Sequence, residues 1–292
     1  MKRSEIEAEI LEWIGEPEWQ RDEARFERLA LALFRFQYDR CEPYARYARA
    51  LGRTPERIEC AAQIPAVPTG AFKEFDLRCF DAEATVRIFR TSGSSTERRG
   101  TLALDTLALY EASLIASLRR CFLTDLVGVP LMRFLAPSAE EAPDSSLSHM
   151  FDTLRREEGS DDSGFDLREG RLDLEALRRA IREARAESPT RPVVLAGTSF
   201  AFVHLLDAVH LLDATASEGT AADAEHDWQL PPGSRILETG GFKGRSREVP
   251  RDVLRAELAR RFGLPQSSVV NQYGMTELGS QFYDSTLLDP GG

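Results

Sequence analysis

The chain has 292 residues, 42% hydrophobic and 29% charged, a balance that excludes a disordered polymer and leaves a globular protein built as one large domain or two ordinary ones. Its formal net charge of −11 and pI near 5.1 exclude a nucleic-acid partner gripped by a broad basic surface, because phosphate backbones are held through clustered Lys and Arg. Four cysteines, Cys41, Cys60, Cys79 and Cys121, show neither C-x-x-C spacing nor close histidines, and so read as reduced thiols of a cytoplasmic protein rather than a disulfide frame or a zinc site.

The N-terminus, Met1 to Glu5, leads into a charged amphipathic segment without the apolar run of a signal peptide. No stretch approaches the ~20 apolar residues of a membrane span. Ile6, Ile10, Trp13 and Ile14 fall on one helical face, and Phe26, Leu29, Ala30, Leu33, Phe34 and Gln37 repeat the spacing. The aromatic stripe of Phe26, Phe34, Phe36 and Tyr38 reads as core. Prolines punctuate Ile64 to Gly70, which reads as an extended connection.

From about residue 85 short apolar strands alternate with helices. A strand over 85–90 precedes a helix over 105–121; a strand over 129–136 precedes a helix over 146–156. Strands over 193–196 and 235–238 are followed by helices over 199–212 and 250–262, and a strand over 268–272 closes the series. This alternation predicts an α/β fold, mostly parallel sheets covered by helices on both faces, with a helical region over 1–84 and the α/β core over 85–292. Three segments, Pro137–Ser145, Glu157–Gly170 and Ala214–Gly233, are too polar to be buried and read as surface loops.

Ligands of parallel sheets gather at the carboxyl ends of strands, and three tracts of chemical interest fall there. Thr91, Ser92, Gly93, Ser94, Ser95 and Thr96 follow the 85–90 strand, and their amides and hydroxyls suit an anion nest for polyphosphate. A plain Ser/Gly turn running to Gly100 is the alternative. Local positive charge could come from Arg98, Arg99, Lys243, Arg245 and Arg247, although a solvated face is the commoner fate of such residues. Glu238 to Gly244 places Gly240 and Gly241 after a strand, where bare backbone admits a flat ring; a tight turn is the alternative. Neither tract is a Walker A loop or a G-x-G-x-x-G dinucleotide fingerprint. In the third tract Gln272, Tyr273, Gly274, Thr276 and Glu277 offer an aromatic face for adenine, a close backbone approach, a hydroxyl for phosphate and a carboxylate for Mg²⁺. Glu277 at an exposed helix start is the competing reading.

Thr91–Gly100, Gly197–His204, Glu238–Val249 and Asn271–Asp284 together resemble the acyl-protein synthetase (LuxE) family of the bacterial luciferase fatty-acid reductase system. That family is similar to phenylacetate-CoA ligase and the wider adenylate-forming superfamily. The resemblance spans roughly residues 85 to 285. It implies an adenylate-forming-enzyme-like large domain that uses ATP and Mg²⁺ to join a fatty or aromatic carboxylic acid to AMP. The acyl group would then pass to a thiol acceptor: a protein cysteine, a carrier or CoA. A homo-oligomer would be compatible with this reading, and no nucleic acid takes part. Carried over, Thr91 to Thr96 would hold phosphates, Gly240 and Gly241 would line the adenine and acyl pockets, and Ser199, Phe200, His204 and Gly241 would face the acyl substrate. Gln272, Tyr273 and Gly274 would cradle adenine; Thr276, Glu277 and Arg99 would be catalytic, with Glu277 the metal ligand.

The chain departs from the superfamily pattern where Thr96 replaces a usual glycine and Arg99 a usual lysine. Within residues 1–292 the superfamily's small C-terminal lid is expected to be absent, and its ribose-binding aspartate, its lid lysine and the self-acylated cysteine of the luciferase-system enzymes would all stand beyond Gly292: either the sequence is part of a longer chain or the protein performs only part of the reaction. Two other classes stay open. Val193–Ala201 has the strand-turn-helix shape of a nucleophile elbow, which would make the protein a serine hydrolase using Ser199. A non-catalytic nucleotide-binding module is the third reading.

Overall fold

A computed structural model describes residues 1–17, 19–91, 98–187, 191–215, 227–241 and 248–289. The chain divides into two compact units, the first made of residues 1–116, 144–146 and 275–280, the second of 117–143, 147–274 and 281–292.

The first unit starts with three helices, α1 (Arg3–Ile14), α2 (Glu23–Arg40) and α3 (Glu42–Ala50), followed by the one-turn α4 (Ala71–Glu74). The Asp22 carboxylate accepts from the Arg25 amide at 2.9 Å and starts α2, satisfying one of its unpaired amides. Phe34, Tyr44, Ala48 and Ile58 form the small core of this region. Phe26, expected in that core, is 49% exposed, because the buried stripe of α2 runs through Leu29 and Phe34 instead. The proline-punctuated segment leaves Ile64 in extended conformation but closes in a turn at Thr69 and Gly70, and its carbonyls at Pro65 and Ala66 accept from the Tyr44 and Tyr47 hydroxyls, both at 3.1 Å. Cys41, Cys60, Cys79 and Cys121 are free thiols.

Strand β1 (Arg87–Arg90) pairs antiparallel with β2 (Thr101–Leu104) in a two-stranded sheet, with Arg90 opposite Thr101. The expectation that 85–90 belongs to the parallel sheet is therefore corrected. Only Phe89 in β1 is buried, its ring 5.4 Å from Tyr110, while Ile88 is 40% exposed. Such alternation suits a half-covered antiparallel pair, whereas strands of a covered parallel sheet are apolar throughout.

The second unit holds a six-stranded sheet of order β10-β9-β8-β7-β3-β4, comprising β3 (Leu131–Leu135), β4 (Gly164–Phe165), β7 (Val193–Gly197), β8 (Arg235–Glu238), β9 (Val269–Gly274) and β10 (Gln281–Tyr283). Its pairings are parallel except β9 with β10. Between β4 and β7 lie a small hairpin, β5 (Leu167–Arg168) with β6 (Arg171–Leu172), and α7 (Leu174–Ala186). The other helices are α5 (Ala108–Cys121), α6 (Ser146–Glu158), α8 (Ser199–Thr215) and α9 (Arg251–Phe262). On one face of the sheet Leu131, Leu135, Leu195, Ile236 and Val269 join residues of α7, α8 and α9 in a single core. On the other, Phe134 stacks on Phe151 of α6 at 5.0 Å. Helices thus cover both faces, and the fold is mixed α/β as the alternation of elements predicts.

Two segments expected as surface loops carry core instead. Residues 164–168 supply β4, β5 and the buried Asp166, whose carboxylate pairs with Arg133; burial pushes its pKa up, against the pull of that guanidinium. Trp228, within the 214–233 tract, is only 2% exposed and sits in the main core. Helix α7 also went unread in the sequence. It is started by the Asp173 carboxylate, which accepts from the Ala176 amide at 2.9 Å, and buries Leu177, Ile181 and Ala184 at helical spacing.

Candidate functional site

In the second unit the parallel register aligns Leu135, Gly197, Glu238 and Asn271 in one row across the carboxyl ends of four strands. Gly197 is needed there: a Cβ on it would meet Leu135 Cβ at 2.9 Å. Glu238 is 6% exposed and acts as the acceptor at the centre of the row. Its Oε1 accepts from the Ser199 hydroxyl and, at 2.8 Å, from the Gly240 amide. Asn271 Nδ2 donates to Glu238 Oε2 and, at 3.1 Å, to the Glu238 carbonyl. A buried carboxylate is costly unless every lone pair is engaged, and these donors meet that cost. The turn beyond β8 is further tied by the Thr239 amide, which donates to the Gly197 carbonyl at 2.9 Å. Gly240 and Gly241 take φ of +68° and +89°, values that exclude most side chains, so the turn presents bare backbone.

Beside this row the β9–β10 hairpin places Tyr273 opposite Phe282, with ring centroids 6.5 Å apart. The two rings are 56% and 59% exposed, an apolar platform open to a planar ligand. Gln272 points the other way and is buried, while Gly274 is exposed at the strand end.

The first unit assembles a different set. Around the mouth of the β1–β2 hairpin, the Thr91 amide donates to the Gly100 carbonyl and the Gly100 amide to Thr91 Oγ1, both at 2.9 Å. Arg99 Nε donates to the Thr91 carbonyl at 2.6 Å and Nη1 to Asp144 Oδ2 at 3.1 Å. Arg98 lies 3.8 Å from Glu74. The segment between β9 and β10 forms a 3-10 turn over Thr276–Leu278 that packs against β2, and Thr276 Oγ1 is 3.2 Å from Ser146 Oγ. Thr276 and Glu277 are both half-buried.

Of the residues singled out by sequence, Thr91, Arg99, Thr276 and Glu277 therefore share the first unit. Ser199, Gly240, Gly241, Gln272, Tyr273 and Gly274 share the second. Ser92, Gly93, Ser94, Ser95 and Thr96 lie outside the described residues, as do Phe242, Lys243, Arg245 and Arg247. Ser199 is 4% exposed and its hydroxyl is turned to the Glu238 carboxylate, whereas a nucleophile elbow exposes its serine beside a histidine. His204 stands on the exposed face of α8 with its ring 4.3 Å from the half-buried Phe200. Sequence reasoning missed Glu238, Asn271, Asp144 and Ser146 as organising groups. A Glu ending a buried strand was the one signal available.

Neither a family model nor a curated protein matches this chain. Among solved structures, the crystal structure of 2-hydroxyisobutyryl-CoA ligase in the postadenylation state, in complex with R3-HIB-AMP, matches over 88% of this chain with a TM-score of 0.53 and 14% identity. The mixed α/β fold of this chain matches that of the ligase. At this identity the likeness is one of fold, and the chain spans about half the length of that ligase, 50% of which is covered. No helix among the described residues is long and apolar enough to cross a membrane.

Proposed function

We propose that the protein activates a carboxylic acid with ATP, forming an acyl adenylate, and passes the acyl group to a thiol. What carries this reading is the fold likeness to a ligase captured with an acyl-AMP compound, combined with a chain that brings Thr276, Glu277, Thr91 and Arg99 into one compact unit. In the first step a carboxylate oxygen attacks the α-phosphorus, the bond to the β-phosphate oxygen breaks, and pyrophosphate leaves. In the second, a thiolate attacks the acyl carbon and AMP departs.

On this reading the Tyr273 ring stacks on adenine, Gly240 and Gly241 offer their backbone to the ring, and Thr276 donates to an α-phosphate oxygen. Arg99 and the Thr91–Thr96 tract neutralise the terminal phosphates. Glu277 holds the metal. The donor set suits an ion that arrives on a polyphosphate: among the described residues no three His, Cys, Asp or Glu side chains could cage one, and Mg²⁺ takes one or two protein carboxylates with phosphate and water oxygens completing its shell. When bound, that ion withdraws charge from the phosphates. The exposed Tyr273–Phe282 platform, the bare turn at Gly240 and the hydroxyl at Thr276 support these assignments. The acid is proposed as fatty or aromatic and the acceptor as a protein cysteine, a carrier or CoA.

The test is pyrophosphate release by the protein with ATP and Mg²⁺ across a panel of fatty, aromatic and branched hydroxy acids, beside direct measurement of ATP binding. Acid-dependent release supports the proposal. ATP binding without release for any acid would replace it by a non-catalytic nucleotide-binding module. Absence of both ends the nucleotide reading.

A further inference from the structure

Asp144 and Ser146 precede and open α6, and no motif in the sequence marks them. Yet they are joined from several directions to the parts of the first unit proposed to hold the phosphates. The Asp144 carbonyl accepts from the Arg90 amide at 2.8 Å, its Oδ2 accepts from Arg99 Nη1 at 3.1 Å, and Arg90 Nε lies 3.7 Å away. Arg99 is thereby held from two sides, since its Nε and Nη2 also donate to the carbonyls of Thr91 and Arg90 at 2.6 and 3.4 Å. The Ser146 carbonyl accepts from the Tyr110 hydroxyl at 3.3 Å, and the Tyr110 ring packs on the buried Phe89 of β1. Short of the ligand itself, the 144–146 segment is fixed to the hairpin mouth on one side and to the 276–278 turn on the other.

The geometry points to Ser146 as a second hydroxyl that binds, together with Thr276, the α-phosphoryl group of the nucleotide. This rests on the adenylation reading above. Ser146 Oγ and Thr276 Oγ1 are 3.2 Å apart, half-buried, and 130 residues distant in sequence, so their approach is no local cap or turn. Two hydroxyls carry two protons. One is used between them, and the other remains to be donated to an anionic oxygen placed at ordinary hydrogen-bond distance from the pair. A hydrogen bond to a charged acceptor is about twice as strong as a neutral one, so the pair is worth more with a phosphoryl oxygen in place than without. Asp144, which keeps Arg99 beside the same hairpin mouth, is a positioning residue.

Affinities for adenosine, AMP and MgATP separate the outcomes. Ser146→Ala is expected to weaken AMP and MgATP about tenfold and to leave adenosine, which has no phosphate, unchanged; Ser146→Thr should restore AMP binding. The Ser146→Ala/Thr276→Ala pair should lose less than the product of the two single losses, as for groups acting on one oxygen. If Thr276→Ala weakens AMP while Ser146→Ala does not, the inference is overturned and the adenylation reading stands. Equal loss of adenosine and AMP in Ser146→Ala overturns it in favour of a structural role. A wild-type protein that binds neither AMP nor MgATP removes both.

Discussion

Replacing Glu238 by glutamine changes one oxygen to an NH₂ group and leaves volume almost untouched, so it isolates the electrostatics of the buried row. The wild-type carboxylate only accepts, and its described partners at Ser199, Gly240 and Asn271 all donate. In Glu238→Gln the remaining carbonyl oxygen can keep Ser199 and Gly240, but the new NH₂ then faces the Asn271 NH₂. Asn271 cannot simply flip, because its Nδ2 also donates to the Glu238 carbonyl at 3.1 Å. One charge-assisted hydrogen bond is lost, worth about 1.5–3 kcal/mol, and a buried donor is left facing another. We therefore expect a loss of about 2–3 kcal/mol of unfolding free energy, read as a lower urea midpoint at unchanged slope. Asn271→Ala should cost less in the Glu238→Gln background than in the wild type, because the bond it removes is already lost there, a coupling measurable by a double-mutant cycle. A loss under about 0.5 kcal/mol, or no coupling between the two positions, would refute the view that this carboxylate organises the strand ends.

Other consequences are as definite. Glu277→Ala should abolish the Mg²⁺-dependent part of ATP binding while leaving metal-free affinity in place; equal MgATP affinity in variant and wild type would show that the carboxylate does not meet the ion. Trp228→Ala empties a site in the main core and should cost about 3–5 kcal/mol, seen as a large drop in thermal midpoint, and a cost near zero would mean that the tract around it is not packed. Asp105 is held below the usual carboxylate range by its hydrogen bonds to Arg3, one of them 2.8 Å. A depressed folded value gives stability that is present above the unfolded value and is lost as pH falls through the folded one. The stability gap between wild type and Asp105→Asn should accordingly be widest near neutrality and close below about pH 4, as followed by denaturation at each pH.

Periodicity made the sheet of the second unit readable. Val193–Gly197 is buried along its whole length, and a continuous apolar run bounded by helix signals predicts such a strand; Arg235–Glu238 is equally buried, although only Ile236 and Leu237 in it are apolar. The same reasoning failed at Arg87–Arg90, where a four-residue strand joins either kind of sheet with equal ease. It failed again at Trp228: a polar average over twenty residues hides one indole, although that single side chain can bury on the order of 150–250 Å². Tyr273, Thr276 and Glu277 were visible as a motif, and their neighbours were not. Thr276 gains its partner from 130 residues away, and Glu238 gains Ser199 and Asn271 from 39 and 33 residues away.

By itself the amino-acid order determined where four strands of the main sheet, β3, β7, β8 and β9, and the helices α5, α6, α8 and α9 lie, that helices cover both sides of a largely parallel sheet, and which loops end on glycine and hydroxyl groups. These follow from the spacing of apolar residues and from local backbone preferences, which act over a few positions. Tertiary structure alone decided that β1 leaves the sheet for a hairpin, that Glu238 is a buried acceptor rather than an exposed acid, and that Ser146 stands beside Thr276. Such pairings depend on directed hydrogen bonds between distant segments, whose partners are chosen only once packing has brought them within about 3 Å.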